Sequence, residues 1–105
     1  MNDFSGLRFT VTRLCGGQDL MLTPDRKIPV DIERVHRETN SKYTKNDQFV
    51  KFDWNGLCVT VYPAGSVLFF FFNNRPMAEE YARKILEEIV RKEDETKVGF
   101  VEERL

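Results

Sequence analysis

The chain has 105 residues, which fits one domain spanning residues 1–105, and its 41% hydrophobic and 31% charged residues exclude a disordered polymer. A formal net charge of −1 gives no overall attraction to nucleic acid or acidic lipid, so binding to either would require a local basic patch. Two cysteines, Cys15 and Cys58, are too few for a disulfide framework and lack metal-ligand spacing, so free thiols in a reducing compartment are expected. Met1-Asn2-Asp3 lacks a basic and apolar leader, and the longest apolar run, Val67 to Phe72, is far too short to cross a bilayer. The expected location is cytoplasmic, with no membrane partner.

Leu7 to Leu14 alternates and is rich in β-branched residues, which predicts a first strand ending at Cys15-Gly16-Gly17. Leu20-Met21-Leu22 either extends this strand or pairs with it. After the break at Thr23-Pro24-Asp25, Ile28, Ile32 and Val35 recur at helical spacing and predict a helix over roughly 29–39, with Pro29 near its start. Asn40 to Asp47 reads as a polar loop.

Phe49 to Trp54 then runs into Asn55-Gly56, the dipeptide best suited to a two-residue hairpin turn. That turn sets Trp54 opposite Leu57, Phe52 opposite Val59 and Val50 opposite Val61, so one face of the hairpin is wholly apolar. Pro63-Ala64-Gly65 has the composition of a three-residue loop with Gly65 in the left-handed position. An odd loop keeps Val67, Phe69 and Phe71 on the side of Val59 and Val61. The opposite side then collects Lys51, Asp53, Cys58, Thr60, Tyr62, Leu68, Phe70 and Phe72, more aromatic than a solvated face requires.

Asn73-Asn74-Arg75-Pro76 caps and opens a second helix, whose apolar stripe runs through Met77, Ala78, Tyr81, Ala82, Ile85, Leu86, Ile89 and Val90. Its outer side carries Glu79/Arg83, Glu80/Lys84, Glu87/Arg91 and Glu88/Lys92, all acid-first at four-residue spacing. Lys97 to Val101 is expected to form a short closing strand. The predicted fold class is α+β: an antiparallel sheet with two helices packed on one face, in the order β-α-β-β-β-α with that closing β.

This order resembles one half of the TATA-box-binding protein family, whose curved saddle is built from two such repeats. Tyr43 to Phe49 is similar to the family's tyrosine, short polar loop and strand-opening phenylalanine. Val59 to Leu68 is similar to its strand, glycine-containing turn and strand, and Ala78 to Ile85 to its acidic-to-basic helix. The resemblance implies a TBP-like fold over nearly the whole chain and nucleic-acid contact by the concave sheet face. Tyr62 falls at a wedge-phenylalanine position, and Leu68 and Phe70 fall where side chains meet the minor groove. A homodimer would complete the saddle.

The candidate binding face is therefore Lys51, Cys58, Thr60, Tyr62, Leu68, Phe70 and Phe72. Its apolar and aromatic content at neutral net charge favours protein–protein association, homodimerisation included. The alternative is nucleic acid, with Tyr62 and Phe70 stacking on bases and Arg8, Arg13 and Lys51 contacting phosphate. Arg8, Arg13, Arg26, Lys27, Arg34 and Arg37 would supply a basic edge. A third arrangement has residues 1–22 or the closing strand lying over the aromatic strip. His36 has no metal-ligand partner pattern, Cys15 has no base placed near it by sequence, and Gly16-Gly17 lacks the helix and lysine of a phosphate loop. A non-enzymatic module with no catalytic residues, metal or cofactor is the expectation.

Overall fold

Left-handed residues at the turns set the strand registers. The computed structural model describes residues 4, 6–39, 42–43 and 49–103, with backbone alone for 38, 39, 42, 43 and 91–103. Its elements are β1 (Phe9–Leu14), β2 (Asp19–Pro24), α1 (Ile32–Thr39), β3 (Lys42–Tyr43), β4 (Val50–Trp54), β5 (Leu57–Val61), β6 (Val67–Phe69) and α2 (Arg75–Glu103). The fold is α+β, with one antiparallel sheet in the order β1-β2-β6-β5-β4-β3.

Asn55 and Gly56 both have positive φ, 50° and 86°, the geometry that lets a two-residue turn follow the right-handed twist of its strands. The register is the one expected: Trp54 opposite Leu57, Phe52 opposite Val59, Val50 opposite Val61. At the next turn the Tyr62 N–H donates to the Ser66 carbonyl at 3.0 Å, leaving Pro63-Ala64-Gly65 as the loop, with Gly65 at φ 100°. Glycine is required there twice over, because a Cβ would also meet Ile28 Cβ at 2.7 Å.

Three expectations are corrected. Of the two alternatives for Leu20-Met21-Leu22, pairing is the one observed, and the expected order with a single strand before α1 is corrected: Cys15, Gly16 and Gly17 are all left-handed, at φ 53°, 70° and 92°, and return the chain as β2. An extra hairpin therefore precedes α1, and β2 rather than β1 joins β6. The first helix starts at Ile32, not Pro29, because the Ile28 and Val30 N–H groups donate to the Ala64 and Pro63 carbonyls, which holds that segment against the turn. Asp31 Oδ1 then accepts from the Arg34 N–H at 3.2 Å, a cap for the first turn. Finally, Lys97 to Val101 continues α2 and forms no closing strand. Within the expected 40–47 loop, Lys42–Tyr43 is a short strand on β4, and residues 40–41 and 44–48 lie outside the described residues.

Both helices pack on one side of the sheet, α1 against β4 and α2 against β2. The core joins Leu20, Leu22, Val50, Val59, Val61, Val67 and Phe69, all fully buried, to Ile32 and Val35 of α1 and Ala78, Ala82, Ile85, Leu86 and Ile89 of α2. Phe4 and Leu7 complete it from the N-terminal side. Asn74 Oδ1 accepts from the Met77 N–H at 3.2 Å and caps α2, and Glu79–Arg83 and Glu80–Lys84 close at 3.7 Å each. The side chains of Arg91 and Lys92, expected to pair with Glu87 and Glu88, lie outside the described residues.

Candidate binding face on the open side of the sheet

Strand alternation sends every second side chain away from the helices, and the registers align those side chains into rows. One row crosses five strands as Thr12, Met21, Leu68, Thr60 and Lys51. Beside it, Leu14 lies opposite Asp19, and Cys58 lies opposite Asp53 while its carbonyl accepts from the Phe70 N–H at 3.1 Å. On the other flank Tyr62 and Phe49 meet at 5.9 Å between ring centroids. No described helix covers this side; of the segments suggested as a cover, residues 9–14 and 19–24 widen the sheet and α2 runs on as helix, while residues 1–3 and 5 lie outside the described residues.

Leu68 is only 8% exposed yet stands outside the core cluster, and Thr60 is 3% exposed. No described element lies above them, and half-buried Met21, Tyr62 and Phe70 are their neighbours on the same face. The Lys51 ammonium lies 4.7 Å from the Phe70 ring centroid, a cation–π contact that lays the lysine stem across the strands. Tyr62, Phe70, Met21 and Leu14 are half-buried, so the face mixes these apolar and aromatic side chains with Thr12, Thr60, Lys51 and Asp53.

Of the residues expected to share this face, Lys51, Cys58, Thr60, Tyr62, Leu68 and Phe70 do so; Phe72 does not. β6 ends at Phe69, and Phe71 adopts φ 55°, which reverses the alternation. Asp19 Oδ1 accepts from the Phe71 N–H at 2.9 Å and the Gln18 carbonyl accepts from the Phe72 N–H at 3.0 Å, holding that conformation. Phe71, expected in the core, is 82% exposed. Phe72 turns under the sheet, stacks on Tyr81 at 5.7 Å and contacts Phe69 at 5.8 Å.

The proposed phosphate contacts do not converge. Arg13 lies opposite Leu20 and so belongs to the helix side. Arg8 is exposed just before β1, four strand spacings from Lys51 on β4, or roughly 19 Å. Arg34 is no part of a basic edge: it is 7% exposed and donates to the Ile89 carbonyl at 2.9 Å.

Cys15 is exposed in the β1–β2 turn, where a hydrogen bond to the Asp19 carboxylate and then its negative charge push the thiol pKa up. That opposes thiolate formation, the reverse of what a nucleophile needs. His36 sits on α1, a different element. Among the described residues no group of three or more His, Cys, Asp or Glu side chains is arranged to hold a metal ion, and no helix is long and apolar enough to cross a membrane.

Sequence reasoning missed Met21, Leu14 and the threonines of β1 and β2 on this face, because the second strand was not paired with β6. The alternation of Leu20-Met21-Leu22 after a Gly-Gly turn was the available signal. It also missed a recess of about 320 Å³ at the far end of the helix side, lined by Trp54, Asn55, Leu57, Phe72, Tyr81 and Lys84. Trp54 meets Tyr81 there at 5.2 Å and donates through Nε1 to Glu88 Oε2 at 3.2 Å.

No protein-family model, no curated protein and no solved structure matches this chain. The face is therefore interpreted from its own residues.

Proposed function

We propose that the chain is a small non-enzymatic binding module that associates with protein, a second copy of itself included, and that its open sheet face docks the partner around Tyr62, Leu68 and Phe70. The observation that carries this reading is a row, covered by no described element, in which Leu68 is almost buried beside half-buried Met21, Phe70 and Tyr62. Such a cluster of apolar and aromatic side chains resembles a protein interface core, with Lys51 lying over the Phe70 ring as its one nearby cation among the described residues of the row.

Nucleic acid is the weaker occupant. Lys51 lies over the Phe70 ring, where a base would have to stack, and Arg13 belongs to the other side of the sheet. The test compares proteins retained from a cell extract by the wild-type chain, by Phe70→Glu on the face and by Arg37→Glu on α1. Partners should be lost with Phe70→Glu and kept with Arg37→Glu. Equal retention by all three would refute docking at this face. Binding of short duplex or single-stranded DNA or RNA that weakens steeply with salt and with Lys51→Glu would replace protein by nucleic acid.

A further inference from the structure

The outer edge of β1 is long and lightly protected. All six of its residues pair with β2 without a bulge, and among the described residues it has no strand on its other side. Its sequence, Phe9-Thr10-Val11-Thr12-Arg13-Leu14, contains no proline and no lysine, so Arg13 is its one charged protection against edge pairing. The direction of its backbone groups follows from one bond. The Asp25 N–H donates to the Arg8 carbonyl at 2.9 Å, so Arg8 and Asp25 form a hydrogen-bonded pair. By alternation Thr10, Thr12 and Leu14 also turn their N–H and C=O groups toward β2, and Phe9, Val11 and Arg13 turn theirs outward.

We propose that this edge is the seam of a homodimer, in which β1 pairs antiparallel with β1 of a second copy about a two-fold axis at Val11. This deepens the reading above by giving the second copy its own surface, and it stands on the strand edge whether or not the open face docks a partner. A symmetric antiparallel seam must place residues of the same sheet face opposite one another and must match outward-pointing residues with outward-pointing residues. Val11 opposite Val11 meets both conditions and brings Phe9 opposite Arg13, so every outward backbone group of Phe9, Val11 and Arg13 is used. A shift of two residues one way sets Phe9 against Cys15, which has left the strand at φ 53°; the other way sets Arg13 against Leu7, which precedes it. Both shifts lose bonds.

The side chains agree with the same register. Thr10 meets Thr12 of the other copy on the open face, a favourable cross-strand pair. The strand's one charge, Arg13, meets Phe9 and not its own copy. Phe9 already has the Arg83 guanidinium at 5.7 Å, and Glu79 pairs with Arg83 at 3.7 Å, so the added arginine enters a site that holds a carboxylate. Space is sufficient: α2 packs against β2, and the two β2 strands would stand three strand spacings apart, about 14 Å, against 8–10 Å for packed helices. The product is a continuous sheet with both sets of helices on one side and both open faces on the other.

The test is sedimentation of the full chain over a wide micromolar range, with Val11→Pro, Val11→Thr and Phe70→Glu. Proline removes an outward N–H that the monomer does not use, so the fold persists while the seam is blocked. A concentration-dependent dimer is expected, weakened about tenfold or more by Val11→Pro, as expected for two lost hydrogen bonds, and kept by Val11→Thr and Phe70→Glu. Cross-linking tests the register independently should the proline variant not fold. With Cys15→Ser and Cys58→Ser in place, Val11→Cys should oxidise to a covalent dimer and Thr12→Cys should not, because hydrogen-bonded partners lie about 5.5 Å apart between Cα atoms. A monomer at all concentrations, or cross-linking at 12 and not 11, would overturn the seam. A dimer abolished by Phe70→Glu but indifferent to Val11→Pro would overturn it too, and would move self-association to the open face.

Discussion

Four consecutive phenylalanines, Phe69 to Phe72, occupy four different environments, and an alanine scan across them is the sharpest check on the architecture. Phe69 is fully buried and contacts Phe72 at 5.8 Å, so Phe69→Ala leaves a cavity and should cost about 3–5 kcal/mol. Phe71 is 82% exposed, and its replacement should fall within about 0.5 kcal/mol of zero. Phe72, half-buried and stacked on Tyr81 at 5.7 Å, should lie between them at about 1–3 kcal/mol. Phe70 should cost about 1 kcal/mol, the order of its cation–π contact with Lys51 at 4.7 Å plus partial burial.

Urea unfolding followed by far-UV circular dichroism measures these differences, and for a domain of this size each kcal/mol also moves the thermal midpoint by about 4–8 °C. Strict strand alternation gives another ranking, with Phe69 and Phe71 both large and Phe70 and Phe72 both small. A Phe71→Ala cost above about 2 kcal/mol would therefore refute the left-handed reversal at Phe71. Phe71→Gly separates the backbone term: it should be more stable than Phe71→Ala by about 1 kcal/mol, because φ 55° is strained for any side chain but open to glycine.

Gly65→Ala should destabilise by roughly 2–4 kcal/mol in the same assay, since φ 100° and a Cβ at 2.7 Å from Ile28 Cβ act together; a loss below about 0.5 kcal/mol would mean that the turn relaxes freely. Asp19→Asn replaces the carboxylate whose hydrogen bond, and then whose charge, raise the Cys15 pKa, while keeping an amide oxygen for the Phe71 N–H. The sign follows directly: less opposition to the thiolate means a lower pKa, so alkylation of Cys15 near pH 8 should accelerate in the variant, and an unchanged or slower rate would contradict the assigned cause.

The sequence carried most of the central hairpins because their determinants are local. Asn55-Gly56 and Pro63-Ala64-Gly65 state their own turn geometry, and an apolar alternation does the rest, so the registers of β4, β5 and β6 followed from a few adjacent residues. α2 was equally plain from its cap and stripe. The errors arose where a distant partner decides. Nothing within Phe69 to Phe72 announces a left-handed Phe71; the carboxylate that accepts its N–H is 52 residues away. The Ile28–Val30 segment looks helical by spacing, but bonds to Pro63 and Ala64 capture its backbone. Lys97 to Val101 has strand-like composition, yet it follows an established helix, where extension is easier than starting a strand and one glycine costs only about 1 kcal/mol. Six of the seven expected residues share the face because they lie in the locally determined strands or, for Tyr62 and Phe70, directly after them, and Phe72 departs because it lies beyond the reversal.

The buried state of Leu68 and Thr60 on a face that no described element covers bears on what that face can accept. A solvated sheet face usually leaves its side chains hydrated, whereas here Phe70, Tyr62, Met21 and the Lys51 stem crowd around two smaller neighbours. Part of the desolvation and side-chain ordering that a partner would otherwise have to impose has already taken place in the free protein. A partner would thus meet a preformed apolar floor with aromatic walls, which favours shape-matched protein surface over a flexible, hydrated phosphate backbone. Edge pairing through β1 would then bring two such floors into one continuous sheet, separated by the threonines of the seam. A partner presenting two copies of its own epitope at that spacing would gain avidity without any new contact. The seam variant Val11→Pro should remove that gain while leaving the affinity of each single face unchanged.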